Sequence, residues 1–355
     1  MNDPRKQLIV LIAISASFFS FVAGYLLTQP RSHKTGPSEQ RATILDRFSE
    51  STTETISSDD GLVLIVSDPI LGQTNAPNGE RVLYYHKNDG TVSSIDIESR
   101  KTETVSATIL EDLVDVVWAP DKNSVLSLSR SPEGTVYKYF DYKTRRTAAL
   151  GSDIVAAAFS PDGRSIVLAK IVGPEIHVTI AYPDGSNPET VFKTRLPHVQ
   201  ISWPEDIAIT STDTQGNAAL HMLTLDGKLN RVIDSRQNLK TAWSPDGRQL
   251  LYSSLDNGRP TLRWLSVAGG VEGVSPISAS ADLCEWRKAG KSFVCLTEQG
   301  GITSIFEVKT KDRSVAVLAS NLIVNAKNIF LSNSEAFLAV VSRNNSSLYV
   351  IRLPE

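Results

Sequence analysis

Short apolar runs recur along the C-terminal four-fifths of the chain: RVLYY, VLSLS, SIVLAK, QLLYSS and SFVCL. Each is rich in β-branched or aromatic residues and bounded by Gly, Pro, Asp, Asn or Ser. Runs this short read as strands, because an amphipathic helix needs about ten or more residues with a period of 3.6.

A second pattern precedes each run. Its clearest copies are Phe159-Ser-Pro-Asp-Gly-Arg164 and Trp243-Ser-Pro-Asp-Gly-Arg248. Trp118, Pro120 and Asp121 repeat it with the glycine lost, and Asn75-Ala-Pro-Asn-Gly-Glu80 repeats it with the aromatic lost. Weaker copies begin at Trp203, Trp286 and Phe330. In this reading the innermost strand ends at the aromatic residue, which packs between structural units. The next four residues turn the chain: Pro161 or Pro245 presets φ, Asp162 or Asp246 bonds its own backbone, and Gly163 or Gly247 takes a positive φ. The seven first positions, 75, 118, 159, 203, 243, 286 and 330, follow one another in steps of 40 to 44 residues. A constant period in that range, with about four short strands per repeat, predicts an all-β, seven-bladed β-propeller of four-stranded antiparallel blades over 61–355.

Strand counting also predicts how the ring closes. After Phe330 the chain has room for two more strands, 337–341 and 348–353, which leaves the last blade one strand short. Gly61-Leu-Val-Leu-Ile-Val-Ser67 precedes the first turn motif and belongs to no blade, so it is expected to become the outer strand of the last one. Such pairing buries an edge that would otherwise invite aggregation. Cys284 and Cys295, the only two cysteines, stand on opposite arms of the hairpin through Arg-Lys-Ala-Gly-Lys. They should face each other directly, which suits either a disulfide or two small buried hydrophobes.

The N-terminal part is of another kind. Residues 8–27, bounded by Leu8 and Leu27, read LIVLIAISASFFSFVAGYLL without a charge. Twenty such residues match the roughly 30 Å hydrocarbon core of a bilayer as a helix. The expectation is a seven-residue tail at 1–7, a transmembrane signal anchor at 8–27, a Ser-, Thr- and Pro-rich flexible linker at 28–60, and then the propeller. Arg5 and Lys6 before the stretch are opposed by Arg31, Lys34 and Arg41 after it. Long domains translocate largely regardless of such charges, so the C-terminal bulk is placed outside the cytoplasm.

Composition narrows the functional classes. With 36 basic and 39 acidic residues the net charge is -3, which excludes a polybasic nucleic-acid binder. Two cysteines exclude a disulfide framework and a multi-cysteine metal protein. The acyl-transfer, zinc-protease, phosphate-loop and calcium-loop motifs are absent. His86, His177, His198 and His221 fall in four different repeats, so neither a metal site nor a cofactor is expected. Propellers bind at the axial mouth, where loops lead into the innermost strands. Here those loops supply Asp112, Asp153, His198, Asn238, Asp282 and Asn325, a mixed polar ring suited to peptide or sugar hydrogen bonding.

The turn motif resembles the WD-like propeller repeats of the TolB type. The resemblance rests on Phe159 to Arg164, Trp243 to Arg248 and their apolar followers, strong in two copies and partial in five. It implies an exported propeller that works by binding. The α/β domain that TolB carries before its propeller has no counterpart in 28–60. The leading expectation is therefore a membrane-anchored, extracytoplasmic binding or scaffolding module for a protein or cell-envelope partner. The alternative is a propeller enzyme of lactonase, glycosidase or lyase type with a polar or metal site in the channel.

Overall fold

The computed structural model describes residues 61–354, and the expected tail, membrane stretch and linker lie outside them. Seven four-stranded antiparallel sheets account for all strands among the described residues. Blades 1 to 6 span residues 70–106, 113–151, 154–194, 199–237, 240–274 and 284–322, each in simple meander order. The first strands of most successive blades touch one another, which places Ile70–Asn75, Leu113–Trp118, Ile154–Phe159, Val199–Ser202, Lys240–Trp243, Cys284–Trp286 and Ala326–Leu331 around the axis. Blade 7 takes three strands from the C-terminus and its outer strand, Leu62–Val66, from the beginning of the described chain. Leu62 pairs with Ile351 and Val66 with Leu348, antiparallel, so the ring is closed by strand pairing between its two ends.

The continuous apolar runs are explained by where successive side chains go. In the second strand of blade 3, Ile166 and Leu168 join a core shared with blade 2, while Val167 and Ala169 join one shared with blade 4. In blade 6, Phe293 and Cys295 face blade 5 and Val294 and Leu296 face blade 7. Strand side chains alternate between faces, and both faces of every blade meet a neighbour. Each of the seven interfaces accordingly has its own hydrophobic cluster.

In blades 2 to 6 the aromatic positions serve these interfaces, each against the preceding blade. Phe159 lies with Ala119 and Leu126 of blade 2, and Trp286 with Leu251 and Leu262 of blade 5. Indole N–H groups also reach across: Trp118 Nε1 donates to the Gly72 carbonyl (2.5 Å) and Trp286 Nε1 to that of Ala242 (3.2 Å). Blade 1 has Asn75 in place of the aromatic residue, and Asn75 Nδ2 donates to the Leu331 carbonyl of blade 7 at 2.7 Å. The interface thus keeps a side-chain donor where it loses a ring.

The turn that follows is built as its residues dictate. Ser160 Oγ donates to Asp162 Oδ1 (2.7 Å), which also accepts from the Arg164 N–H (3.0 Å), and the Gly163 N–H donates to the Ser160 carbonyl (2.9 Å). Ser244, Asp246, Gly247 and Arg248 repeat the arrangement, with Pro245 as the second turn residue. The serine hydroxyl and then the backbone N–H hold both carboxyls below the usual aspartate range. Gly247 has φ +71°, and a Cβ there would stand 2.7 Å from the backbone of Pro204 in the neighbouring blade. Lys122 adopts φ +58° in the corresponding place without a glycine.

Two repeats depart from the sequence frame. In blade 7 the residue paired with the start of the apolar run is Leu331, not Phe330, so that copy is shifted by one. In blade 4 Ser202 pairs with Ala208, which makes the turn after Trp203 shorter than its counterparts. Trp243 and Trp118 are only half-buried, whereas Phe159 and Trp286 are 6% and 2% exposed.

Cys284 pairs directly with Cys295 across the first hairpin of blade 6, and the two are joined by a disulfide, their Cα atoms 4.1 Å apart.

Candidate functional site

All inner strands run the same way, so the ring has two distinct ends. One, the mouth, carries the loops into the inner strands and the connections between second and third strands. The opposite end carries the Ser-Pro-Asp-Gly turns, and Gly61 lies there because the outer strand of blade 7 starts at that end. By this topology Asp112, Asp153, His198, Asn238, Asp282 and Asn325 all stand at the mouth, five exposed and Asn325 half-buried.

Each is held by its own blade. Asp112, His198 and Asn238 have φ values of 52°, 41° and 52°, directly ahead of or one residue before the inner strand. Short polar side chains tolerate that left-handed conformation better than most. Backbone geometry is therefore one reason for these residue types. The Asp112 carbonyl accepts from the Arg130 N–H at 2.9 Å and that of Asp153 from the Ile171 N–H at 2.8 Å. Asp153 also forms an ion pair with Lys170 at 3.5 Å. Asn325 Nδ2 donates to Asn344 Oδ1 at 3.3 Å, and Asp282 lies in the short 3-10 turn Ala281–Leu283. Of the six, Asp112 lines a cleft of about 540 Å³ between blades 1 and 2, with Lys87, Asp89, Leu110 and Arg130.

The same end carries apolar residues that sequence reasoning did not single out. Ile323 is 80% exposed, Ile109 57%, Ile171 50%, and Val114 and Val155 41% each. Val172 and Ile302 bring to seven the exposed aliphatic side chains on mouth loops or on the adjoining ends of the first three strands of a blade. Val114 and Val155 are second residues of inner strands, where sequence predicts burial; each stands at a break in the pairing with the second strand, between Leu113 and Asp115 and between Ile154 and Ala156. Nothing in their local sequence marks the difference.

Within the ring one acid stands apart. Glu285 lies between Cys284 and Trp286, whose side chains face blade 5, so alternation turns it toward blade 7. Burial, and then the nearby Glu335 carboxylate, push its pKa up to about 7. Glu335 is engaged by blade 6 in turn, accepting from the Lys288 N–H and standing 3.7 Å from Arg287, which also pairs with Glu307. Among the described residues no three His, Cys, Asp or Glu side chains converge as metal ligands.

No family model and no curated protein matches the chain. Solved structures do match. An oligogalacturonate lyase in complex with manganese superposes with a TM-score of 0.63 at 12% identity, over 84% of this chain and 95% of that one. The Cps50 (Swd1) β-propeller domain of Myceliophteria thermophila gives 0.57 at 11%, over 82% and 100%. TolB from Acinetobacter baumannii gives 0.42 at 12%, over 80% and 78%. At these identities the first two likenesses speak to the propeller fold, and the third carries no argument.

Proposed function

We propose that the chain is a membrane-anchored, extracytoplasmic propeller whose mouth binds a protein or cell-envelope partner. The observation that carries this reading is the composition of the mouth: seven exposed aliphatic side chains among the polar residues Asp112, Asp153, His198, Asn238, Asp282 and Asn325. Apolar area with a polar surround is what protein interfaces bury. The uncharged stretch 8–27 supports the anchor. A disulfide between Cys284 and Cys295 supports an oxidising compartment, where such bonds persist. The likeness of the turn motif to TolB-type repeats supports a binding role.

Photo-crosslinking of the full-length protein in its native membrane tests this. Residues 114 and 323 at the mouth should give a discrete partner adduct, and residues 182 and 225, exposed at the other end, should not. Adducts at the far end alone would overturn the assignment of the mouth.

A further inference from the structure

The end of the ring opposite the mouth is electrically lopsided. The two turns that blade 6 presents there, Arg-Lys-Ala-Gly-Lys at 287–291 and Lys-Thr-Lys-Asp-Arg at 309–313, hold six basic residues and one acid. Arg287 is taken up by Glu307 and Glu335. Lys288 Nζ donates to the Asn333 carbonyl and Arg313 lies 5.9 Å over the Trp264 ring, both keeping their charge in play. Among the described residues, Lys288, Lys291, Lys309, Lys311 and Arg313 take part in no ion pair. The one acid among them, Asp312, accepts from the N–H and hydroxyl of Ser314 in its own turn. The corresponding turns of blade 4 carry Glu205, Asp206 and Asp226 against Lys228 alone. Five unpaired cations on one blade, with acids gathered on another, amount to a surface with a direction.

That surface lies at the end where the chain enters the ring. Gly61 directly precedes the outer strand of blade 7, the blade next to blade 6, and the sixty residues before it include the uncharged stretch 8–27. We infer that the blade 6 cluster docks on the anionic headgroups of the membrane that holds this stretch, an inference that rests on the anchored reading above. Each Lys or Arg near an anionic bilayer contributes attraction within about one Debye length, roughly 8 Å at physiological salt. The tether supplies the proximity, so a few such charges are enough to set orientation. Docking through blade 6 presents the mouth away from the bilayer, toward partners.

The test uses the full-length chain reconstituted in nanodiscs, either of neutral phosphatidylcholine or with about 30% phosphatidylglycerol. Alkaline carbonate extraction comes first: a chain stripped from the lipid would refute the anchor and this inference together. For the integrated chain, acylation rates of Lys291, Lys309 and Lys311 are read by mass spectrometry, with Lys228 on blade 4 as the internal reference. They should fall at least about fivefold in anionic discs relative to neutral ones and recover near 0.5 M salt, where screening shortens to a few ångströms. K309E/K311E should abolish the protection of Lys291 while leaving the thermal midpoint unchanged. Equal rates in both discs would overturn the docking and leave the anchor standing. Protection by soluble heparin in neutral discs that equals the protection by anionic lipid would assign the cluster to an anionic polymer and overturn it likewise.

Discussion

At the scale of single residues, the aromatic of the turn motif and the aspartate beside it do different work, and their substitutions should separate. Trp286 is buried, packs against blade 5 and donates a hydrogen bond across the interface. Trp286→Ala should therefore cost about 3 to 5 kcal/mol, as large aromatic truncations in cores do. Trp243 is half-buried and should cost clearly less, although the two are equivalent in sequence. Asp246→Ala removes the acceptor of two turn hydrogen bonds at an exposed site and should cost about 1 kcal/mol. Chemical denaturation of the three variants checks the order. Glu285 gives a prediction in pH. Its folded pKa is about 7 against an ordinary 4.5, so the folded state holds the proton more tightly. This group then favours folding fully below about 4.5 and works against it as pH rises through 7, by at most about 3 kcal/mol. Glu285→Gln should raise stability at pH 8 and flatten its decline between pH 5 and 7; an unchanged slope would show that the carboxyl is solvated.

Elements were legible where local chemistry repeats and illegible where a neighbour decides. Ser-Pro-Asp-Gly specifies its turn from within, through the Asp162 and Asp246 hydrogen bonds, and so marks blades 3 and 5 outright. In blade 7 Phe330 drew the frame because aromatic residues fill that position elsewhere; Leu331 occupies it, and Ser332, Ser334 and Glu335 turn the chain without proline or glycine. The mouth was legible only as positions. Whether Val114, Val155 or Ile323 is covered depends on the adjoining blade, which no local pattern records. The hairpin carrying Cys284 and Cys295 was fixed by register alone, since the two stand directly opposite each other. Closing so short a loop contributes on the order of 2 to 3 kcal/mol. Cys284→Ala/Cys295→Ala should lose about that much in denaturant melts, and the reducing agent that lowers the native protein's midpoint should leave the variant's unaltered.

For the whole molecule, stability is a property of a circle. Seven clusters lie between blades rather than within them, so a blade with one neighbour missing exposes a full apolar face. The strand Leu62–Val66 guards against this at one place. Leu62 enters the cluster between blades 6 and 7, Val66 the one between blades 7 and 1, and the segment's ladder to Leu348–Arg352 covers what would be the free edge of blade 7. Beside the strand, Ser347 Oγ donates to the Ser67 carbonyl at 2.7 Å and the Ile70 N–H to that of Ser346 at 3.0 Å. Burying Leu62 and Val66 is worth roughly 2 to 3 kcal/mol each, and the lost ladder adds to this. Deleting 61–67 should therefore lower the thermal midpoint by on the order of 10 to 20 °C, since each kcal/mol shifts a domain of this size by about 2 to 4 °C. Deleting the equally long 49–55, which lies outside the described ring, should leave the midpoint within about 2 °C. Differential scanning calorimetry of the two deletions distinguishes a closed ring from an open one: matching midpoints would mean that blade 7 holds its place without the N-terminal strand.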